Sequence, residues 1–318
     1  MQAAVSRSDR QRATPRDGGP APDPPWLDRS RDYPFESQFV DIEGNQVHYI
    51  DEGAGPTLLL LHANPLWSFY FRRVVRDLRR SFRCVALDYP GYGLSRAAAG
   101  YGFRVEDHAR IVECFVRRLD LADVTLLVHD SGGPVGLRVA GDDPSRFRAF
   151  VLCDCFGWPL SEDPKVARML RFVSGRLFTF LNTSFNLLVR VVVASGIKGT
   201  TLSASEKAAY IGPFLDRRKR HVQSLIFRSY VDERGEAYMR GVKAGLSRLR
   251  DKPALILFGA GDPVTRMRFP EKLATLLPRS QVVLIAGQDH FPHDGDGAGA
   301  EIARVVAEWH ATTTPERA

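Results

Sequence analysis

The stretch Thr125-Leu126-Leu127-Val128-His129-Asp130-Ser131-Gly132-Gly133-Pro134-Val135-Gly136 leaves this chain few ways to fold. Apolar and β-branched residues run into a polar triplet, then into glycines and a helix-compatible segment. That order spells a buried strand, a very sharp turn and a helix N-terminus. The glycines let the helix leave close beside the strand it came from. Asp130 stands at the turn. A carboxylate is a poor starter of ester hydrolysis, because its adduct would be an anhydride. It can displace a leaving group from an sp3 carbon, or open a strained ring, and become an ester. The plainer reading is an aspartate that caps the following helix.

The rest of the chain sets the bounds. Its 318 residues are 44% hydrophobic and 25% charged, the composition of an ordinary soluble globular protein. One large α/β domain with an inserted subdomain fits that length better than two unrelated domains. The net charge of +7 raises the question of nucleic acid. The arginines are scattered, however, with no zinc-finger spacing and no ribonucleoprotein-type aromatic motif, so no nucleic-acid partner is expected. Cys84, Cys114, Cys153 and Cys155 show no pairing rhythm. Two of them lie in apolar runs, where a free cysteine acts as a small hydrophobe, and Cys153-x-Cys155 lacks the second half of a metal site. Residues 1–34 read as a disordered tail without a signal-peptide core. No run reaches about 18 apolar residues, so no membrane span or membrane partner is expected and the location reads as cytoplasmic.

Taken in order, Ser37–Glu43 and Asn45–Glu52 predict a hairpin about Gly44. Thr57–Leu61 predicts a central strand ending in His62-Ala63-Asn64-Pro65, and Trp67–Leu78 a helix. Arg83–Leu87 predicts a strand that runs into Asp88-Tyr89-Pro90-Gly91-Tyr92-Gly93-Leu94-Ser95, followed by a helix over Val105–Leu119. After the strand Phe150–Asp154 the alternation breaks. Residues 156–243 carry helical patterns such as Val166–Leu181 and Ser205–Tyr210 and no good strand. It resumes with Ala254–Phe258, a helix in the 270s, Val282–Ile285 and a helix over Glu301–Trp309. Repeated strand–helix units predict a doubly wound, mostly parallel sheet. The helical block is then a cap over the carboxyl ends of the strands, between core segments 35–155 and 244–318.

Five pieces in this order resemble the α/β-hydrolase fold, and within it the haloalkane dehalogenase and epoxide hydrolase branch. They are His62-Ala63-Asn64-Pro65 with Trp67-Ser68-Phe69-Tyr70-Phe71-Arg72, Asp88 to Ser95, Val128-His129-Asp130-Ser131-Gly132-Gly133, Phe258-Gly259-Ala260-Gly261-Asp262-Pro263, and Gly287-Gln288-Asp289-His290-Phe291-Pro292. The resemblance covers residues 35–312 and makes the Asp130 turn a nucleophile elbow. A register shifted by one would make Ser131 an esterase nucleophile, but would put the bulky His129 where close contact is demanded.

The resemblance implies roles. His290, in the loop after the last strand, is the base. His293, His221 and His310 read as solvated, and His62 and His129 as structural. Asp262 orients His290 and fixes its tautomer. Asp154, after the preceding strand, is the alternative acid. Backbone N–H groups of Ala63 and Ser131 form the oxyanion hole. Asn64 corresponds to the asparagine that donates to the departing halide in dehalogenases; the plainer reading ties it to its own loop. Ser131 departs from the family, which has tryptophan there as second halide donor, and Trp158 or Trp67 would have to compensate.

The reading is a hydrolase without metal or cofactor that forms an ester on Asp130, with a small, largely apolar, neutral substrate. Dehalogenation of an alkyl halide comes first. An epoxide hydrolase, with Tyr210, Tyr230 and Tyr238 as acids, or a β-lactone decarboxylase-like enzyme are the alternatives. A catalytically silent ligand-binding protein on the same fold is the reading outside enzymology. Oligomeric state is open.

Overall fold

The computed structural model describes residues 23–196, 201–295 and 297–313. Its centre is an eight-stranded sheet in the order β1-β2-β4-β3-β5-β6-β7-β8. The strands are β1 (Gln38–Ile42), β2 (Asn45–Glu52), β3 (Thr57–Leu61), β4 (Arg83–Leu87), β5 (Val124–His129), β6 (Phe147–Cys153), β7 (Ala254–Gly259) and β8 (Ser280–Ile285). β1 and β2 pair antiparallel, β2 also pairs antiparallel with β4, and all other pairs are parallel. The unbroken apolar run of β5 is buried along its whole length, as a strand covered on both faces must be.

The helices are α1 (Arg72–Leu78), α2 (Val105–Arg118), α3 (Gly132–Asp142), α4 (Pro164–Val173), α5 (Arg176–Phe185), α6 (Leu187–Val191), α7 (Ala204–Ile211), α8 (Arg217–Val231), α9 (Glu233–Leu246), α10 (Pro263–Arg266), α11 (Phe269–Leu276) and α12 (Ala298–Thr313). The connection from β3 to β4 through α1 runs one way across the sheet, whereas those from β4 to β5 and from β5 to β6 run the other. Right-handed crossovers therefore put α1 on one face and α2 and α3 on the opposite face. α12 packs on α1, while α3 packs on both α2 and α9. β3 and β5 lie side by side with their connections leaving in opposite directions. That switch point opens a crevice at their carboxyl ends, where His62–Pro65 and Asp130 emerge.

Four expectations are corrected by packing. The helix expected over Trp67–Leu78 starts as a 3-10 turn, Ser68–Phe71. The single pattern Val166–Leu181 is two helices broken at Ser174 and Gly175. The cap boundary expected at 243 falls inside α9, which packs on α3 of the core through the approach of Gly141 to Gly245. Nothing in helical periodicity separates a cap helix from a core helix. The tail expected over 1–34 is packed from residue 23 onward: Leu27 and Tyr33 are buried, and the Tyr33 hydroxyl meets Ser68 Oγ at 2.6 Å. The Trp26 ring meets that of Trp67 edge-on. Aromatic anchors outweigh a polar composition here. Residues 1–22 lie outside the described residues.

The glycines of the turn are demanded by close approach. A Cβ on Gly132 would stand 2.4 Å from the Leu61 carbonyl oxygen, and one on Gly133 would stand 2.7 Å from the Cβ of Cys155. Gly132→Ala must push α3 away from β3, and should lower stability by about 1–3 kcal/mol. A thermal melt checks this; an unchanged midpoint would mean that α3 has room to shift.

Candidate active site

β5 carries Asp130 to the crevice, and the turn holds it at φ +46°, in the left-handed region. Its N–H donates to the Cys153 carbonyl at 3.1 Å, and its carbonyl accepts from Gly133 N–H at 2.9 Å, so the neighbouring strand β6 and α3 fix the apex. Such strain persists only where the surroundings over-determine it. His290, after β8, presents Nε2 3.7 Å from Asp130 Oδ1. On the far side of the ring Nδ1 lies 2.7 Å from Asp262 Oδ2. Asp262, after β7, is buried, and its other oxygen caps α10 by accepting from Val264 N–H at 3.0 Å. The Asp130 and His290 side chains keep 22% and 27% of their surface, enough for a reactant to reach both.

The electrostatics follow from that row. Burial disfavours a charged His290, but the carboxylates of Asp130 and Asp262 on its two sides hold its proton well above the ordinary imidazole range. Burial pushes Asp130 upward; the facing imidazolium and the Ser131 backbone N–H outweigh it and leave the carboxylate below its usual value. Asp130 is an anion.

Asp154 stands behind the pair, at φ +43° and buried. One oxygen accepts from Gly259 N–H at 2.9 Å, and the other has no donor. Burial, above all, drives its carboxyl well above the normal range, and the neighbouring Asp262 carboxylate adds to the shift, so Asp154 holds its proton. One ligand atom from each of Asp154, Asp262 and His290 falls within 4.8 Å of the others, the spacing of an ion site. Asp262 is already engaged there, one oxygen accepting from His290 Nδ1 at 2.7 Å and the other from Val264 N–H at 3.0 Å.

The β3 turn contributes the opposite wall. The Ala63 carbonyl accepts from Leu66 N–H at 2.8 Å and from His62 Nδ1 at 2.9 Å. The Asn64 backbone N–H donates to Ser131 Oγ at 2.8 Å. The Asn64 carboxamide donates to the Gln223 carbonyl at 3.2 Å and accepts from the Tyr92 hydroxyl at 3.0 Å. Asn64, Ser131, Tyr89, His108, Ile226 and Tyr230 line a cavity of about 10 Å³, room for about one water molecule.

Other expected residues are engaged elsewhere. Trp158 is buried, its indole N–H donates to Asp163, and it does not line the cavity. The Trp67 indole donates to the Ala209 carbonyl at 3.0 Å. Of the three tyrosines, Tyr230 reaches the cavity, but its hydroxyl donates to the Ser131 carbonyl at 3.1 Å. Tyr238 donates to the Pro134 carbonyl at 3.1 Å. Tyr210 is tied to Asp294 at 2.8 Å and to Arg72 at 3.3 Å. His62 and His129 are buried, and His129 Nε2 donates to the His290 carbonyl at 2.7 Å. His293 and His310, expected in solvent, are buried as well, because α12 and the loop before it fold back onto α1.

Sequence reading missed Tyr89 and His108. The Tyr89 hydroxyl and His108 Nε2 are buried without a hydrogen-bond partner among the described residues, and both groups line the cavity. Tyr89 follows Asp88 at the end of β4, and that strand-end position was the available signal.

Comparison with known proteins agrees with this geometry. The family model for the alpha/beta hydrolase fold matches residues 56–296. Haloalkane dehalogenase 2 of Mycobacterium tuberculosis is 44% identical over 127 residues, a match that spans 40% of this chain and only 44% of that relative. The haloalkane dehalogenase of Mycolicibacterium paratuberculosis is 30% identical over 300 residues, covering 87% of this chain and 93% of its own. A cis-3-alkyl-4-alkyloxetan-2-one decarboxylase of Shewanella oneidensis is 29% identical over 266 residues, covering 81% and 83%. The crystal structure of haloalkane dehalogenase DatA from Agrobacterium tumefaciens C58 superposes with a TM-score of 0.78 at 22% identity, over 88% of this chain and 97% of that one. With a model match over most of its length and a relative matched almost end to end, this chain belongs to the α/β-hydrolase family, in its haloalkane dehalogenase branch.

Proposed function

We infer that the protein is a hydrolase of the haloalkane dehalogenase type that works through an ester on Asp130. The alignment of Asp130, His290 and Asp262 in one row carries this reading. The Asp130 carboxylate attacks an sp3 carbon, the bond to the leaving group breaks with its electron pair, and an alkyl ester forms. Esterification removes the charge that kept His290 protonated. The ring then releases its Nε2 proton to solvent along with the departing halide, and becomes the base that takes a proton from water as the oxygen attacks the ester carbonyl. Asp262 holds the opposite nitrogen. The developing oxyanion faces the Ser131 N–H, with Ala63 as the second expected donor in the adjoining turn. The tetrahedral species collapses by breaking its bond to the alkyl oxygen, which takes the proton held on His290 and leaves as alcohol, freeing the Asp130 carboxylate.

A single turnover in water enriched in heavy oxygen tests the ester. The label should enter the Asp130 carboxylate and be missing from the first alcohol released. Label in that first alcohol would mean direct attack by water and would remove Asp130 as nucleophile.

A second reading, a β-lactone substrate, is favoured by the wall opposite Asp130. No indole N–H reaches the cavity, the Asn64 carboxamide is shared with Gln223, and the Tyr89 hydroxyl is free there. The decarboxylase of Shewanella oneidensis is similar to this chain over most of its length. Asp130 could open such a ring at its sp3 carbon and displace a carboxylate. A missing donor typically costs about a hundredfold in rate. Dehalogenation is accordingly expected to be slow and confined to bromide and iodide, with a dialkyl β-lactone consumed faster. Steady-state rates on primary bromoalkanes, primary chloroalkanes and the lactone decide between the readings. Chloride release as fast as lactone turnover would return the assignment to the halide.

A further inference from the structure

Helix α5 is turned inside out for a soluble protein. Its buried positions include Thr179 and Asn182, while Leu177, Phe180 and Phe185 stand 72%, 62% and 66% exposed. The inward face is held by polar bonds: the Asn182 carboxamide donates to Gln223 Oε1 at 2.8 Å and accepts from Leu188 N–H at 2.8 Å. Neighbouring α4 adds Phe172, 70% exposed, whose ring lies 5.9 Å from that of Phe178 on α5. Leu215, 57% exposed, extends the patch at the start of α8, where Arg220 binds the carbonyls of Thr183 and Ser184. Large apolar patches rimmed by polar groups mark interaction sites.

The rim is predominantly basic, with Asp216 at the N-cap of α8 as an exposed acid beside Leu215. Residues 164–196 contain five Lys or Arg and no Asp or Glu, and Arg168, Arg171, Arg176 and Arg190 are exposed. Arg217 and Arg218 continue the basic edge on α8. A second copy of the chain, docked about a two-fold axis, would set this cationic surface against itself. An anionic bilayer meets both demands, since it takes the phenylalanines among its acyl chains and the arginines among its headgroups.

We propose that the face formed by α4, α5 and the start of α8 docks on an anionic phospholipid surface, with α5 lying in the plane of the interface. No single helix among the described residues is long and apolar enough to cross a membrane. The absence of a span led the sequence to predict no membrane partner; a helix lying in the interface needs none. The segments Arg176–Phe185 and Leu187–Ala194 bend 74° from one another, so the pair is not a straight rod. α5 packs directly on α8, which lines the reactant cavity with Ile226 and Tyr230. Docking would therefore hold the cavity one helix from the lipid, where an apolar substrate is concentrated.

The full-length protein, mixed with vesicles of phosphatidylcholine alone or with phosphatidylglycerol added, tests this by flotation. Wild type should float with the anionic vesicles and be released by salt. Replacing Leu177→Ser, Phe180→Ser and Phe185→Ser together should weaken binding about tenfold or more, and Arg171→Glu with Arg176→Glu should abolish the preference for anionic lipid. None of these residues lines the cavity, so turnover of a water-soluble substrate should stay at the wild-type rate and report an intact fold. No flotation of wild type, or flotation unchanged in both variants, overturns the proposal. A concentration-dependent dimer in sedimentation, lost in the serine variant, with no vesicle binding, assigns the face to a second copy and overturns it too.

Discussion

With His290 replaced by glutamine, turnover of a bromoalkane is expected to fall by about four to six orders of magnitude, while the protein gains the mass of one alkyl group. The two effects have one origin. Alkylation needs the Asp130 carboxylate, which the substitution leaves in place, whereas hydrolysis needs a base to activate water against the ester, and the substitution removes the imidazole whose Nε2 stands 3.7 Å from Asp130 Oδ1. Intact-protein mass spectrometry after mixing with substrate reads the adduct, and peptide mapping assigns it to Asp130. Absence of any adduct, with a bromoalkane that wild type turns over, would sink the carboxylate mechanism. The lactone separates the two readings further. If its ester collapses by loss of carbon dioxide, a carbon–carbon bond breaks, the alkene forms and Asp130 departs as carboxylate, all without water. The variant would then keep most of its lactone activity. The pH dependence divides the same way. In wild type, where the His290 imidazolium holds Asp130 below its ordinary value, alkylation should be flat across neutral pH and vanish only as Asp130 protonates in acid; in the glutamine variant that loss should move to higher pH.

Asp262→Asn should cost about four orders of magnitude in turnover, and Asp154→Asn no more than about tenfold. The Asp262 carboxylate accepts from His290 Nδ1 at 2.7 Å; an amide could offer an N–H there instead and select the wrong tautomer. Asp154 is already kept neutral by burial, and asparagine puts a neutral group of nearly the same shape in its place. Stability should separate the two sites as well. The folded-state pKa of Asp154 lies well above 3.8, because burial penalises its charge. As pH rises above 3.8, the unfolded chain loses this proton while the folded chain keeps it, so stability falls with pH. At neutral pH Asp154→Asn removes that penalty and should raise the melting temperature relative to wild type, with the gain shrinking toward pH 4. Large activity loss in Asp154→Asn with a mild effect of Asp262→Asn would move the acid to the end of β6.

The central strands β3 to β7 were legible because the sequence signal and the burial coincide; β8 was legible from its β-branched run although Val282 and Leu284 are exposed. The run Thr57–Leu61 ends as a strand where its apolar residues end. Asp130, His290 and Asp262 were legible because each follows such a run, and the ends of neighbouring parallel strands meet in space. The cap was not. Its boundary lies inside α9 because α9 is amphipathic whichever layer it packs on. The roles of Trp158 and the tyrosines were also illegible, since a hydroxyl or indole takes whichever acceptor the fold brings near. For Trp158 that is Asp163, for Tyr230 the Ser131 carbonyl. Tyr89 illustrates the converse, a group whose importance lies in having no partner, which only three-dimensional packing reveals.

The size of the cavity beside Asp130 has a kinetic consequence. At about 10 Å³ it has room for about one water molecule, so a substrate that entered it would have to displace α8, whose Tyr230 hydroxyl donates to the Ser131 carbonyl. A protein open about one part in a hundred binds about a hundredfold more weakly than its contacts with the ligand would allow. Removing the latch with Tyr230→Phe would shift that equilibrium toward the open form. Affinity in this enzyme would then be governed less by how well the pocket fits a molecule than by how often the pocket exists.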